Sequence, residues 1–184
     1  MTPQQIEQVQ ARSRCLHDEA EVEAALDCMA LAINADLHDK NPLVLTIMHG
    51  GLITAGKLVT RLNFPLQMDY LHATRYRETT SGKELQWKTY PSASLKGRDI
   101  LLIDDILDVG VTLELIVKYC WQQGCSSVKT AVLLDKQHER KFPGLKADYV
   151  GLEVADYYLF GYGMDYKGYL RNAAGIYAIA DEDM

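Results

Sequence analysis

The stretch Ile100-Leu101-Leu102-Ile103-Asp104-Asp105-Ile106-Leu107-Asp108-Val109-Gly110-Val111-Thr112-Leu113 combines a strand, an acidic turn and a helix start. Its consecutive apolar residues read as a strand buried on both faces, because a half-exposed strand would alternate polar and apolar positions. Acidic residues follow, Gly110 turns the chain, and Leu113, Ile116, Val117, Cys120 and Trp121 then recur as one helical stripe. Gly124 ends that helix. Ser127 to Leu134 is again apolar almost throughout, so a second buried strand follows. Strands alternating with helices imply an α/β domain built on a parallel sheet.

The same texture extends upstream. Leu43 to Met48 is a short apolar run that ends at Gly50-Gly51, and the helix-like Leu52 to Leu62 follows. The first 40 residues read as helical, with Val22, Leu26, Met29, Ile33 and Leu37 on one face that something downstream must cover. Between the two strand–turn–helix units, Pro65 to Tyr76 and Glu84 to Tyr90 are expected strands around Arg77-Glu78-Thr79-Thr80-Ser81-Gly82-Lys83. That polar tip reads as an exposed mobile loop. From Ala147 onward, short strand-like pieces are separated by glycines and tyrosine is unusually dense.

Composition narrows the function. A chain of 184 residues fits one domain, and 48% hydrophobic with 24% charged residues suits a water-soluble protein with a core. The net charge of −6 argues against binding nucleic acid through bulk charge, so an anionic ligand needs locally concentrated donors. No run approaches the roughly 20 apolar residues of a membrane span, and the N-terminus has no secretory pattern. A cytoplasmic protein without membrane or nucleic-acid partners is therefore expected. Cys15, Cys28, Cys120 and Cys125 form no Cys-x-x-Cys pair, and reduced thiols are expected.

Chemistry concentrates at the acidic turn. In an open α/β sheet, ligands bind at the carboxyl ends of the strands. Backbone N–H groups from Val109 to Thr112 would face an anion at the helix entrance, with the Thr112 hydroxyl as one more donor. Asp104 and Asp105 lie beside them, ready to accept hydrogen bonds from hydroxyls. A phosphate next to a diol is a sugar phosphate. The nucleotide-triphosphatase loop is excluded because Gly-x-x-x-x-Gly-Lys-Ser/Thr is absent, and a single glycine in Asp108-Val109-Gly110 excludes a dinucleotide fingerprint.

This stretch resembles the signature of the type I phosphoribosyltransferases, in which a strand runs into two acidic residues and an Asp-x-Gly-x-Thr turn. The resemblance implies that phosphoribosyl pyrophosphate (PRPP) binds here. Val109, Gly110, Val111 and Thr112 would hold its 5′-phosphate, and Asp104 and Asp105 its ribose hydroxyls. Many relatives carry polar or basic side chains at positions 109 and 111, where this chain has valines, so backbone donors remain. The implied fold is a twisted, mainly parallel sheet flanked by helices. Its core would span about 41–140, with a small hood from 1–40 and 147–184 and a flexible lid at Arg75-Tyr76 to Lys83.

Other segments are similar to the hypoxanthine–guanine members of that family. Met48-His49-Gly50-Gly51 resembles their pyrophosphate loop, where many relatives have Lys at the His49 position and a cis peptide before it. Ala147 to Tyr166 resembles their purine-recognition region. The resemblance implies that Tyr158 stacks on the base, that the Leu159 backbone meets its 2-position side, and that Lys136 donates to the 6-oxo group. An ammonium favours a carbonyl oxygen over an exocyclic amine, hence hypoxanthine or guanine over adenine. Arg171 would contact pyrophosphate, and Asp165, with Asp104 and Asp105, would help hold Mg2+. Asp108 is assigned the purine N7 proton, as general base forward and general acid in reverse. A homodimer or homotetramer is expected from the relatives. The rival reading is a regulator with the same fold that binds PRPP or a nucleotide without turning it over.

Overall fold

The computed structural model describes residues 1–75 and 85–184. The chain runs α1 (Pro3–Arg12), β1 (Arg14–His17), α2 (Glu19–Leu37), β2 (Leu43–Ile47), α3 (Gly51–Val59), β3 (Gln67–Arg75), β4 (Leu85–Thr89), β5 (Asp99–Leu107), α4 (Val111–Gln122), β6 (Ser127–Gln137), β7 (Tyr149–Ala155), β8 (Leu159–Phe160) and β9 (Ile176–Ala178), and closes with a short 3-10 turn.

Two sheets result. The larger has the order β4-β3-β2-β5-β6-β7, with β2, β3, β5, β6 and β7 parallel and β4 antiparallel to β3. Its central strands are apolar on both faces because helices or loops cover both: Val44, Leu101 and Ile103 pack toward α2 and α3, whereas Leu45, Leu102 and Val132 pack toward α4. The smaller is an antiparallel sheet of order β1-β9-β8. Ile6 and Val9 of α1 pack with Phe160, Tyr166, Leu170 and Ile179 around it, so the chain's two ends share one small core.

The stripe of α2 behaves as its spacing demands. Val22, Leu26, Met29, Ile33 and Leu37 are all buried, each worth about 1.5–3 kcal/mol relative to exposure. Asp18 caps the helix by accepting the Glu21 N–H at 2.9 Å, while the Glu21 side chain returns to the Asp18 N–H.

Several details depart from the sequence reading. Residues 1–40 are not helical throughout: Arg14–His17 is a strand, because Cys15 finds a partner at Tyr177, 162 positions away in the chain. The face of α2 lies on the large sheet, and β7 is its sixth strand, so the hood draws on less than 1–40 and 147–184. Trp121 is half exposed rather than in the α4 stripe, and Tyr119 instead packs on Trp87 at 4.5 Å between ring centroids. β5 does not stop at Ile103 but carries the acidic pair within the strand, held by pairing to β6 as far as Leu107 opposite Asp135. Of the lid, Arg75 ends β3, and Tyr76 to Lys83 lie outside the described residues. All four cysteines are free thiols, Cys15 and Cys28 exposed and Cys120 and Cys125 buried.

Candidate active site

At the carboxyl ends of β2 and β5 lies a cleft of about 260 Å3. Its floor is the acidic strand end with the turn from Asp108 to Thr112, and Met48, Gly50 and Arg171 face that floor. Gly110 adopts φ +85° at the entrance of α4, which frees the first turn to point into the cleft. The first helical bond runs from the Glu114 N–H to the Gly110 carbonyl at 2.9 Å. The N–H groups of Val111, Thr112 and Leu113 therefore precede the helical ladder, and the helix dipole adds positive potential where they point.

Asp105 is buried, and Asp104 is partly covered beside it. Burial pushes both carboxyl groups up from their usual range, and for Asp104 the adjacent Asp105 charge pushes in the same direction. Arg171 pulls Asp105 back toward ionisation. Such a pair gains from any ligand that brings hydroxyl donors or positive charge. The Gly50 loop approaches the pair closely: a Cβ on Gly50 would fall 2.1 Å from Asp105 Oδ2, so no larger residue fits without a shift. The Met48–His49 peptide is cis, as the resemblance implies. His49 itself is exposed, its ring edge-on to His72 at 4.6 Å between centroids, and Gly51 begins α3 as a buried residue.

Arg171 binds from above. One of its nitrogens donates to the Gly163 carbonyl and another lies 2.5 Å from Asp165 Oδ1. Asp165 Oδ2 accepts the Gly168 N–H at 2.7 Å, so both oxygens of Asp165 have partners within the hood. Asp104, Asp105 and Asp165 are oxygen donors of the kind a hard cation such as magnesium prefers, but among the described residues they do not form one cluster of ligand atoms, and both Asp165 oxygens are already engaged.

Beyond Asp108 lies a second group of charges. The buried Lys136 ammonium stands 3.6 Å from Asp108 Oδ2 and 3.6 Å from an Asp156 oxygen, and Arg140 reaches the other Asp156 oxygen at 2.6 Å. Among the described residues, Asp108, His138 and Asp156 form the one trio of potential metal-ligating groups within 4.8 Å, but the Lys136 ammonium already pairs with both carboxylates and Arg140 with Asp156. Tyr158, 45% exposed, meets Tyr166 edge-on at 5.9 Å, leaving one ring face open. Leu159 is buried in β8 opposite Ala178.

His138, Asp156 and Arg140 escaped the sequence reading. A signal existed for one of them: β6 continues to Gln137, and the strand's period of two puts position 138 on the side of Lys136. Asp156 and Arg140 carried no comparable mark, because their meeting depends on β7 lying beside β6.

The chain that carries this cleft is matched, in sequence and in fold, by known proteins. The model of the phosphoribosyl transferase domain matches residues 15–167, and the chain belongs to the phosphoribosyltransferase family. Within that family, its similarity runs to the enzymes of 6-oxopurines. It is 33% identical over 160 residues to the hypoxanthine-guanine phosphoribosyltransferase of Bacillus subtilis, covering 86% of this chain and 88% of that one. The fold is similar to a hypoxanthine phosphoribosyltransferase of Staphylococcus aureus, with a TM-score of 0.86 at 27% identity over 92% of each chain. The Trypanosoma cruzi hypoxanthine phosphoribosyltransferase gives the same TM-score at 28% identity, covering 94% of this chain and 97% of that one.

Proposed function

We propose that this protein salvages purines by transferring the 5-phosphoribosyl group of PRPP to N9 of hypoxanthine or guanine, yielding IMP or GMP and pyrophosphate. One observation carries the reading: β5 delivers Asp104 and Asp105 directly into the 108–112 turn, so sites for a diol and for a phosphate share one cleft. The Val109–Thr112 turn holds the 5′-phosphate, and Asp104 and Asp105 accept hydrogen bonds from the ribose hydroxyls. His49, Gly50 and Gly51 border the pyrophosphate, with Arg171 opposite to offset its charge.

The base lies between hood and core, stacked on Tyr158, with the Leu159 backbone along its 2-position side and its 6-oxo group toward Lys136. Asp108 takes the N7 proton as N9 closes on the anomeric carbon and the C–O bond to pyrophosphate breaks. Holding both substrates in register supplies much of the rate. Magnesium, held by Asp104, Asp105 and Asp165 together with substrate oxygens, would neutralise charge on the leaving group. Arg75 and Tyr76 begin the lid that keeps water from the activated sugar. The working form is a homodimer or homotetramer in the cytoplasm.

The test is incorporation of radioactive hypoxanthine, guanine and xanthine, each supplied with PRPP and magnesium. Labelled IMP and GMP are expected, with pyrophosphate formed in equal amount. No turnover from a protein that still binds PRPP tightly would make it a regulator, and turnover of xanthine alone would overturn the assigned base.

A further inference from the structure

His138 Nε2 lies 2.6 Å from Asp108 Oδ1, and the imidazole is 6% exposed. On the other side of the ring, the Arg140 backbone N–H approaches Nδ1 at 3.1 Å. A backbone N–H can only donate, so Nδ1 accepts, and the ring proton of the neutral imidazole sits on Nε2. Nε2–H therefore donates to Asp108. The same segment grips the next residue as well, since the Phe142 N–H donates to the Val109 carbonyl at 2.7 Å. Asp108 and the start of the phosphate turn are thus fixed by the chain that follows β6.

We propose that His138 is the positioning residue of Asp108: its imidazole, locked as the Nε2–H tautomer, binds Oδ1, so that Oδ2, which faces the Lys136 ammonium at 3.6 Å, is the oxygen left to take the proton of the base. The proposal rests on the assignment of the purine N7 proton to Asp108. In the forward direction the N7–H bond breaks and an O–H bond forms at Oδ2. The bonding pair returns to the ring as N9 closes on the anomeric carbon, and pyrophosphate leaves with the electrons of its C–O bond. His138 keeps its own proton throughout. Without it, the one side chain among the described residues that still holds the Asp108 carboxylate is the Lys136 ammonium at 3.6 Å, which sets no single rotamer.

Two substitutions separate this role from local folding. In His138→Asn the side-chain oxygen can replace Nδ1 as acceptor for the Arg140 N–H, but the amide is too short to reach Asp108. In His138→Gln the amide nitrogen can replace Nε2 as donor to Asp108. Steady-state and single-turnover kinetics of the full chain with PRPP, magnesium and hypoxanthine are expected to show kcat about tenfold lower for His138→Asn, with the KM for PRPP within twofold. His138→Gln should recover at least half of the native kcat. Combined with Asp108→Asn, His138→Asn should add no further loss, as for groups acting as one unit.

The opposite pattern, an active Asn variant and a slow Gln variant, would assign His138 to the turn alone and overturn the proposal. Equal activities in the two variants, or losses that multiply with Asp108→Asn, would do the same. Full turnover in Asp108→Asn by itself would instead remove the proton assignment on which the proposal stands.

Discussion

Gly163 lies so close to Gly50 that a Cβ built on it would fall 2.0 Å from the Gly50 carbonyl oxygen. This contact docks the hood on the Met48–Gly51 loop, and the Gly163 carbonyl in turn accepts a hydrogen bond from Arg171. Gly163 also has φ +108°, a conformation side chains resist. Gly163→Ala should therefore lower stability by about 1–3 kcal/mol and turnover at least tenfold. Urea unfolding with steady-state kinetics checks both, and native values for each would show that hood and loop are not rigidly joined.

Asp108→Asn should reduce turnover by about 10²-fold or more, because an amide cannot take up the purine proton. PRPP binding should persist, since the turn amides and the acidic pair are untouched. Calorimetric titration with PRPP alongside the activity assay separates the two effects. Unchanged turnover would assign the proton elsewhere.

Lys136→Ala should raise the KM for hypoxanthine far more than the KM for PRPP. Besides losing the proposed donor to the 6-oxo group, the variant removes the ammonium that Asp108 and Asp156 share, whose ligand atoms lie within 4.8 Å of one another, and leaves Asp108 with His138 and Asp156 with Arg140 as partners. Two like charges at that range disfavour an electron-rich carbonyl between them. Equal losses for both substrates would undo the 6-oxo assignment.

Acid should loosen the hood's anchorage. Glu23 in α2 accepts hydrogen bonds from Lys57 and Tyr162, and these two partners hold its carboxyl down at about 2, against an ordinary 4.5. A carboxyl depressed in the folded state stabilises it fully above the unfolded value, and that stability is lost as pH falls through the folded one. The urea midpoint should thus decline from about pH 5 toward pH 2, and Glu23→Gln should flatten that decline. A variant with the native slope would show that other carboxyl groups carry the acid response.

The legible parts of this protein share one property: their physics is local. Period and spacing marked the stripe of α2, the two strand–turn–helix units and the acidic turn, because a buried strand must be apolar and a phosphate turn must contain glycine. Local pattern marks Cys15 to His17 as helix, because nothing nearby announces that its partner strand begins at Ile176. Trp121 fits a helical stripe by spacing and yet faces solvent, since only the packing of Trp87 and Tyr90 on Tyr119 decides which side of α4 the aromatics use.

Local pattern alone specifies an α/β protein with an acidic strand end, a glycine-containing turn at a helix entrance and a second glycine loop, because each of these is written within a dozen residues. What surrounds them comes from long-range packing: Gly163 closes over Gly50 while its carbonyl holds Arg171, Asp156 shares Lys136 with Asp108, and His138 bonds to the carboxylate of Asp108. Those contacts join positions up to 113 residues apart in the chain, Gly50 and Gly163. Strand order brings them together, and strand order follows from which apolar faces bury one another across the whole molecule.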